Sequence, residues 1–182
     1  MGSLFKSTKA IDLLKQDHRA LDALFERYEQ APDGERVALA QEICQALTVH
    51  AHVEEELFYP ALRGRIEGDL LDEAEVEHES LKQLIAKLDG AQESDDLFDA
   101  QVKVLKEYVQ HHVKEEEHEM FPKAKHTTLD LEELGDRMEA LKSQLEAKIT
   151  ELSGDPGSRV RVLQLDGRGV RHPEARSAPR TS

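Results

Sequence analysis

The sequence predicts an all-α fold: an up-down-up-down four-helix bundle, followed by one additional C-terminal helix and a disordered tail. Three observations carry this prediction. Leu, Ala, Glu and Lys, all strong helix formers, dominate the first 152 of the 182 residues. Turn-forming residues cut that stretch into segments long enough for helices, joined by short connections. Within each segment the apolar residues recur at alternating spacings of three and four, the period of a helix with one buried face.

The first segment, 8–30, runs up to the turn Pro32-Asp33-Gly34 and carries the stripe Ile11, Leu14, His18, Leu21, Phe25, Tyr28. The second, 35–63, stops at Gly64 and Gly68; its stripe is Ala40, Ile43, Leu47, His50, Glu54, Leu57, Ala61. The third, 69–89, closes at Gly90 with Leu71, Ala74, His78, Leu81, Ile85, Leu88. The fourth, 95–125, has Phe98, Val102, Leu105, Val109, His112, Glu116, Met120. A fifth, 130–152, opens on Asp130 with Glu133 three positions on, the pattern of a helix-starting capping box. Its stripe, Leu131, Leu134, Met138, Leu141, Leu145, Ile149, Leu152, holds no ligand-like residue. Such a face either packs on its own bundle, the reading favoured here, or self-associates as a coiled coil with another subunit. Residues 8–125 are thus read as the bundle, 130–152 as an amphipathic helix, and 153–182 as a Gly-, Pro-, Ser- and Arg-rich tail too poor in apolar residues to fold.

Charge narrows the range of partners. The net charge is −14, yet residues 153–182 hold six Arg against Asp155, Asp166 and Glu174, a net of +3 that leaves −17 on the rest. An acidic body lacks the shared Lys and Arg face that phosphate contacts need, so no specific nucleic acid is expected. No stretch approaches the ~20 apolar residues that span a bilayer. No apolar run follows the basic residues of the first ten positions, so no signal peptide is expected. Cys44 is the single cysteine, which rules out an internal disulfide and fits a reducing compartment. These features point to a soluble, cytoplasmic protein without membrane partners.

The stripes are apolar except at one kind of position. Each of the first four is interrupted by one histidine, and the second and fourth also by a glutamate four residues later. A lone histidine in such a stripe is more often a satisfied core residue than a ligand. Six coincident interruptions are another matter, because an unpartnered buried carboxylate is very costly and a buried imidazole still needs hydrogen bonds. A metal dication answers both needs, neutralising the glutamates and accepting imidazole nitrogens as donors. His and Glu at i and i+4 lie on one helix face, roughly 5–6 Å apart at Cβ, so each pair can grip one site. The pattern also repeats. His18 precedes His50 by 32 residues and His78 precedes His112 by 34, and Pro60 and Pro122 each fall ten residues after a histidine. Two such hairpins would house two ions, and ions ~3.5–4 Å apart need bridging groups, for which Glu54 and Glu116 are the candidates.

This constellation resembles the hemerythrin-like, or HHE cation-binding, family, whose signature is H…HxxxE…H…HxxxE. Here it reads His18, then His50-Ala51-His52-Val53-Glu54, then His78, then His112-Val113-Lys114-Glu115-Glu116. Asp17 before His18, the doublets Glu54-Glu55 and Glu116-Glu117, and the endings Leu57-Phe58-Tyr59-Pro60 and Met120-Phe121-Pro122 are similar to the family as well. The resemblance implies two non-heme iron ions with terminal histidines, two bridging carboxylates, and an oxo, hydroxo or water bridge. It also implies dioxygen, peroxide or nitric oxide as the small-molecule ligand. One departure stands out: oxygen-carrying hemerythrins have a further histidine one turn before the position of His78, and that slot is Ala74. This argues against reversible oxygen carriage and for redox chemistry or sensing, with Glu75 or Glu55 as candidates for the missing donor.

The mixed imidazole and carboxylate set suits iron, with manganese, cobalt or mixed occupancy as alternatives. Structural zinc prefers four ligands and often sulfur, and calcium and magnesium prefer all-oxygen sites. The other histidines, His52, His111, His118, His126 and His172, lie off the stripes, and Tyr28, Tyr59 and Tyr108 read most simply as residues at the core boundary. Two functions compete: a di-iron protein that reacts with or senses these small oxidants, and an iron-responsive regulatory or interaction module without turnover.

Overall fold

The computed structural model describes residues 7–153, and these form five helical rods with no strand among them. Helix α1 is Lys9–Gln30. Helix α2 opens as Arg36–Val53, widens into a π-helical turn at Glu54–Phe58 and ends as Tyr59–Leu62. Helix α3 is Gly68–Leu88. Helix α4 repeats the plan of α2, with Phe98–Glu115, a π-helical turn at Glu116–Met120 and Phe121–His126. Helix α5 is Leu131–Ser153. Beyond Ser153, the tail expected over 153–182 lies outside the described residues, as does the side chain of Leu152.

α1 packs against α2 and α3 against α4, with α2 and α3 joining the two hairpins. The expected stripes of α1 and α3 are buried at every position. That of α2 is not: Leu57 and Ala61 are only half-buried, while Phe58, Tyr59 and Leu62 take the core positions. The slip comes from the π turn. Proline has no N–H to give, and its ring crowds the carbonyl four residues back. Ahead of Pro60 and Pro122 the helix therefore widens, with the Tyr59 N–H bonding the Glu54 carbonyl and the Phe121 N–H bonding that of Glu116. One extra residue in the turn rotates everything after it.

α5 lies along α1 and α2 and contributes Leu131, Leu134, Met138, Leu145 and Ile149 to the same core. Its apolar face is therefore covered by its own chain. Asp130 caps it, Oδ1 accepting the N–H groups of Glu132 and Glu133 at 3.0 Å each. Gly135 permits the close crossing of α1, since a Cβ there would fall 2.8 Å from the Ala10 backbone nitrogen. Two apolar clusters result, one around Leu14, Phe58, Phe121 and Met138, the other around Phe25, Ile43, Leu105 and Phe98. Between them lies a polar layer.

Candidate metal centre

That layer holds all six interrupting residues, every one of them buried. The bundle brings one from α1, one from α3 and a pair each from α2 and α4. Four of them, His18, His50, Glu54 and Glu116, converge so that their donor atoms all lie within 4.8 Å of one another. A second trio, Glu54, His78 and His112, converges equally closely and shares Glu54 with the first.

Both glutamates span the two groups. Glu54 Oε2 lies 3.3 Å from His50 Nε2 and 3.4 Å from His78 Nε2. Glu116 Oε2 lies 3.2 Å from His18 Nε2 and 3.7 Å from His112 Nε2. Buried polar atoms without partners are rare, because each forfeits its hydration. Here His18 Nε2, His50 Nε2, Glu54 Oε1 and Glu116 Oε2 are all buried with no hydrogen-bond partner. Unpaired nitrogen and oxygen lone pairs aimed at one another form a donor set that a cation fits.

The electrostatics agree. Burial and the neighbouring Glu116 charge push the Glu54 carboxyl well above the usual carboxylate range. Burial also pushes Glu116 upward, but His112, His18 and His50 together outweigh it and hold that carboxyl low. Burial draws His50 down to about 4. For His18 and His112 the carboxylates, Glu116 foremost, overcome burial and raise the pKa.

Three of the four imidazoles are also engaged through their far nitrogens. Nδ1 faces Glu117 at 2.8 Å in His18, Glu55 at 2.9 Å in His78 and Glu77 at 2.7 Å in His112. In His50 the nearest carboxylate is Asp17, at 3.6 Å, a charge contact beyond hydrogen-bond length. Such partners fix which nitrogen points inward and raise its basicity.

One residue here was missed by sequence reasoning. Tyr59 is no boundary residue: its hydroxyl donates to Glu116 Oε1 at 3.0 Å and sits 3.2 Å from His78 Nε2 and 3.4 Å from His112 Nε2. The π turn is the cause, since it places residue i+5 over residue i, and Tyr59 follows Glu54 by five. The matching residue of the other hairpin is Phe121, which stacks on His18 with ring centroids 5.8 Å apart. The donors suggested for the slot at Ala74 lie elsewhere: Glu55 turns outward to His78 Nδ1 and Lys82, and Glu75 pairs with Arg63 at the surface. Tyr108 is half exposed, at 50%, while Tyr28 is buried and donates to Asp99.

Of the remaining histidines, His118 bonds the Lys114 carbonyl and His126 is exposed. His172 lies outside the described residues. His111 stands at the surface with Glu77 and Glu115, a third grouping of metal-ligating type.

Comparison with known proteins decides the family. The Hemerythrin HHE cation binding domain matches residues 9–124. The chain belongs to the hemerythrin HHE cation-binding family. As an HHE protein it is 30% identical over 152 residues to the Mycobacterium tuberculosis protein Rv2633c, covering 81% of this chain and 89% of that one. The crystal structure of the Rv2633c homolog from Mycobacterium kansasii, an HHE domain-containing protein, superposes with a TM-score of 0.71 at 28% identity, over 88% of this chain and all of that one. A Nostoc DNA nickase is 28% identical over 142 residues, covering 76% of this chain but 40% of its own length. The family match spans α1–α4 and leaves α5 outside. Among the described residues no helix is long and apolar enough to cross a membrane.

Proposed function

We propose that this HHE protein holds two non-heme iron ions and uses them to react with or sense dioxygen, peroxide or nitric oxide. The observation that carries this reading is the pair of donor groups sharing Glu54, whose Oε1 is buried and unpartnered, as are His18 Nε2, His50 Nε2 and Glu116 Oε2 of the first group. His18 and His50 would hold one ion, His78 and His112 the other, and Glu54 and Glu116 would bridge them. Tyr59 offers the second ion an oxygen donor where the family pattern has a histidine and this chain has Ala74. The mixed nitrogen and oxygen set favours iron, with manganese the nearest alternative. When bound, the iron supplies one-electron redox chemistry and a coordination position open to a small oxidant.

The chain's own residues select that oxidant. A narrow cavity of about 30 Å³ among the four bundle helices reaches His50, His78 and His112; its walls are mostly apolar, with Leu21, Leu47, Leu81, Val109 and Val113, and Glu55 and Lys82 also line it. It has room for one or two small molecules, and its apolar walls favour neutral over charged ones. Burial of the centre excludes bulk water and larger reductants.

The test is metal content and visible spectrum of protein from iron-supplemented cells, before and after oxygen exposure. About two irons per chain with near-ultraviolet oxo-bridge bands support the reading. One metal or fewer, or zinc without visible bands, refutes it. His50→Ala or His112→Ala should abolish stoichiometric iron, and full loading of both variants would refute the ligand assignment.

The second reading, an iron-ordered interaction module without turnover, draws on the Nostoc relative, in which the matching region is less than half of a longer protein. It predicts full iron loading with no peroxide consumption.

A further inference from the structure

The four histidines of the centre differ in how they are held from outside. Each has a carboxylate at Nδ1, and each of those carboxylates has a cationic or histidine partner of its own. Glu117 has Lys15 at 3.4 Å, Glu55 has Lys82 at 2.7 Å, and Glu77 has His111 at 3.5 Å. These partners all sit on the four helices that supply the centre. Asp17, behind His50, is answered by Lys142 of α5. It is also the most enclosed of the four, its side chain 8% exposed against 27% for Glu117, 19% for Glu55 and 24% for Glu77.

We propose that Lys142 is a positioning residue for the metal centre: by holding Asp17 behind His50, α5 sets how firmly the His18/His50 half retains its ion. The inference rests on the metal-binding reading above and adds a helix outside the family match to the working parts of the site.

The physical argument runs through burial. Where an outer carboxylate is partly exposed, water replaces a lost lysine at little cost. Asp17 is buried between α1, α2 and α5 at the edge of a groove whose walls include Glu42 and Glu146, so without Lys142 the nearest group able to answer its charge is the His50 imidazole, 3.6 Å away. A buried carboxylate stripped of its main partner turns away towards water. His50 then loses the carboxylate that stands behind Nδ1 and steadies the ring with Nε2 pointing inward. His50 is already the most loosely held of the four, its Nδ1 distance exceeding the 2.7–2.9 Å of the others. Removing such an outer partner typically costs about 10–100-fold in metal affinity. The loss should fall on one ion, because His78 and His112 have their own carboxylates on other helices.

The test titrates Co(II), followed by its visible absorption, into the metal-free full-length protein under anaerobic conditions. Wild type should bind two ions. Lys142→Met should weaken one step by about tenfold or more and leave the other unchanged, Asp17→Asn should weaken the same step, and Lys142→Arg should restore it. Lys82→Met, which strips the more exposed Glu55, should move neither step by more than about twofold. Unchanged binding in Lys142→Met overturns the proposal, as does an equal loss in Lys82→Met. Equal weakening of both steps together with a lower melting temperature of the metal-free protein also overturns it, since α5 would then only brace the fold. Wild type that binds no Co(II) counts instead against the metal-binding reading itself.

Discussion

Replacing Glu54 with Gln should move stability in opposite directions with and without metal. Glu54 is fully buried, its Oε1 has no hydrogen-bond partner, and Glu116 lies beside it. In the metal-free protein this carboxyl is in the wrong solvent, which is why its pKa is driven up. Replacing a whole buried ion pair by neutral groups is often neutral or stabilising by about 1–4 kcal/mol, and Glu54, with the like charge of Glu116 beside it, is closer to that case than to a satisfied ion pair. Gln keeps the shape and removes the charge, so a gain of about 2 kcal/mol is expected, or roughly 4–8 °C in a chain of this size. With metal the order inverts. An ion present at about a thousandfold its dissociation constant stabilises wild type by ~4 kcal/mol, and a Gln cannot bridge two cations as a carboxylate does. Glu116→Gln supplies the contrast, because Glu116 is held low by His112, His18 and His50 and so already has partners in the metal-free state. Its metal-free melting temperature should fall or stay level. The assay is thermal unfolding of the three proteins with chelator and with added Fe(II) or Co(II). A metal-free Glu54→Gln protein that melts several degrees below wild type, yet gains as much from metal, would refute the reasoning.

Gly135→Ala should lower the melting temperature by a few degrees although alanine favours helix, because the new Cβ meets the Ala10 backbone nitrogen at 2.8 Å; overpacking of about 1–3 kcal/mol exceeds the ~1 kcal/mol propensity gain. A higher melting temperature would count against the close α1–α5 crossing. Cys44, its thiol pushed by burial from 9.0 to about 12, should resist alkylation at pH 8 until the protein unfolds. Because the folded pKa is the higher one, the associated stability is complete below pH 9 and declines between 9 and 12; a flat profile there would contradict the burial. Val113→Phe should fill the cavity beside His112 and slow oxidation of the ferrous protein by about tenfold, or ~1.4 kcal/mol, with iron content unchanged; an unaltered stopped-flow rate would show that ligands enter elsewhere. Tyr59→Phe removes a buried hydrogen bond to a carboxylate and should cost the metal-free protein about 1.5–3 kcal/mol, opposite in sign to Glu54→Gln.

The fold and the convergence of six residues were legible because both follow from one periodicity. A face repeating every 3.6 residues shows at once which helices form and which polar residues they bury. His18 and His78 are read from α1 and α3, where that period holds throughout. Tyr59 was hidden because the period changes at Glu54. After the π turn the 3-4 spacing points to Leu57 and Ala61, while the chain places Phe58, Tyr59 and Leu62 inward. The clue was present in Pro60 and Pro122, which recur at the same distance from the histidines, but a proline announces a disturbance without giving its geometry. The outer carboxylates were illegible for a different reason. Glu117, Glu55, Glu77 and Asp17 meet histidines on other helices, and helix periodicity within one segment carries no information about such pairings. Lys142 lies furthest from view, 125 residues from the Asp17 it holds.

The sequence repeat suggests two equivalent half-sites, and the structure shows why they would not behave alike. The first half, His18 and His50, is backed by the Phe121 ring, which offers no oxygen, and by the longest of the four outer contacts, His50 to Asp17. The second, His78 and His112, has the Tyr59 hydroxyl within 3.4 Å of both imidazoles and two short outer contacts on their far side. The apolar cavity touches both second-half histidines but only His50 of the first. Firmer orientation and the Tyr59 hydroxyl favour tighter binding in the second half of the proposed centre, which the cavity also reaches. The first half, with its looser His50 and a distant lysine behind it, is the one whose occupancy should respond to metal supply. In the proposed two-ion centre, the difference between Tyr59 and Phe121 at matching places of the two hairpins would by itself make the half-sites unequal.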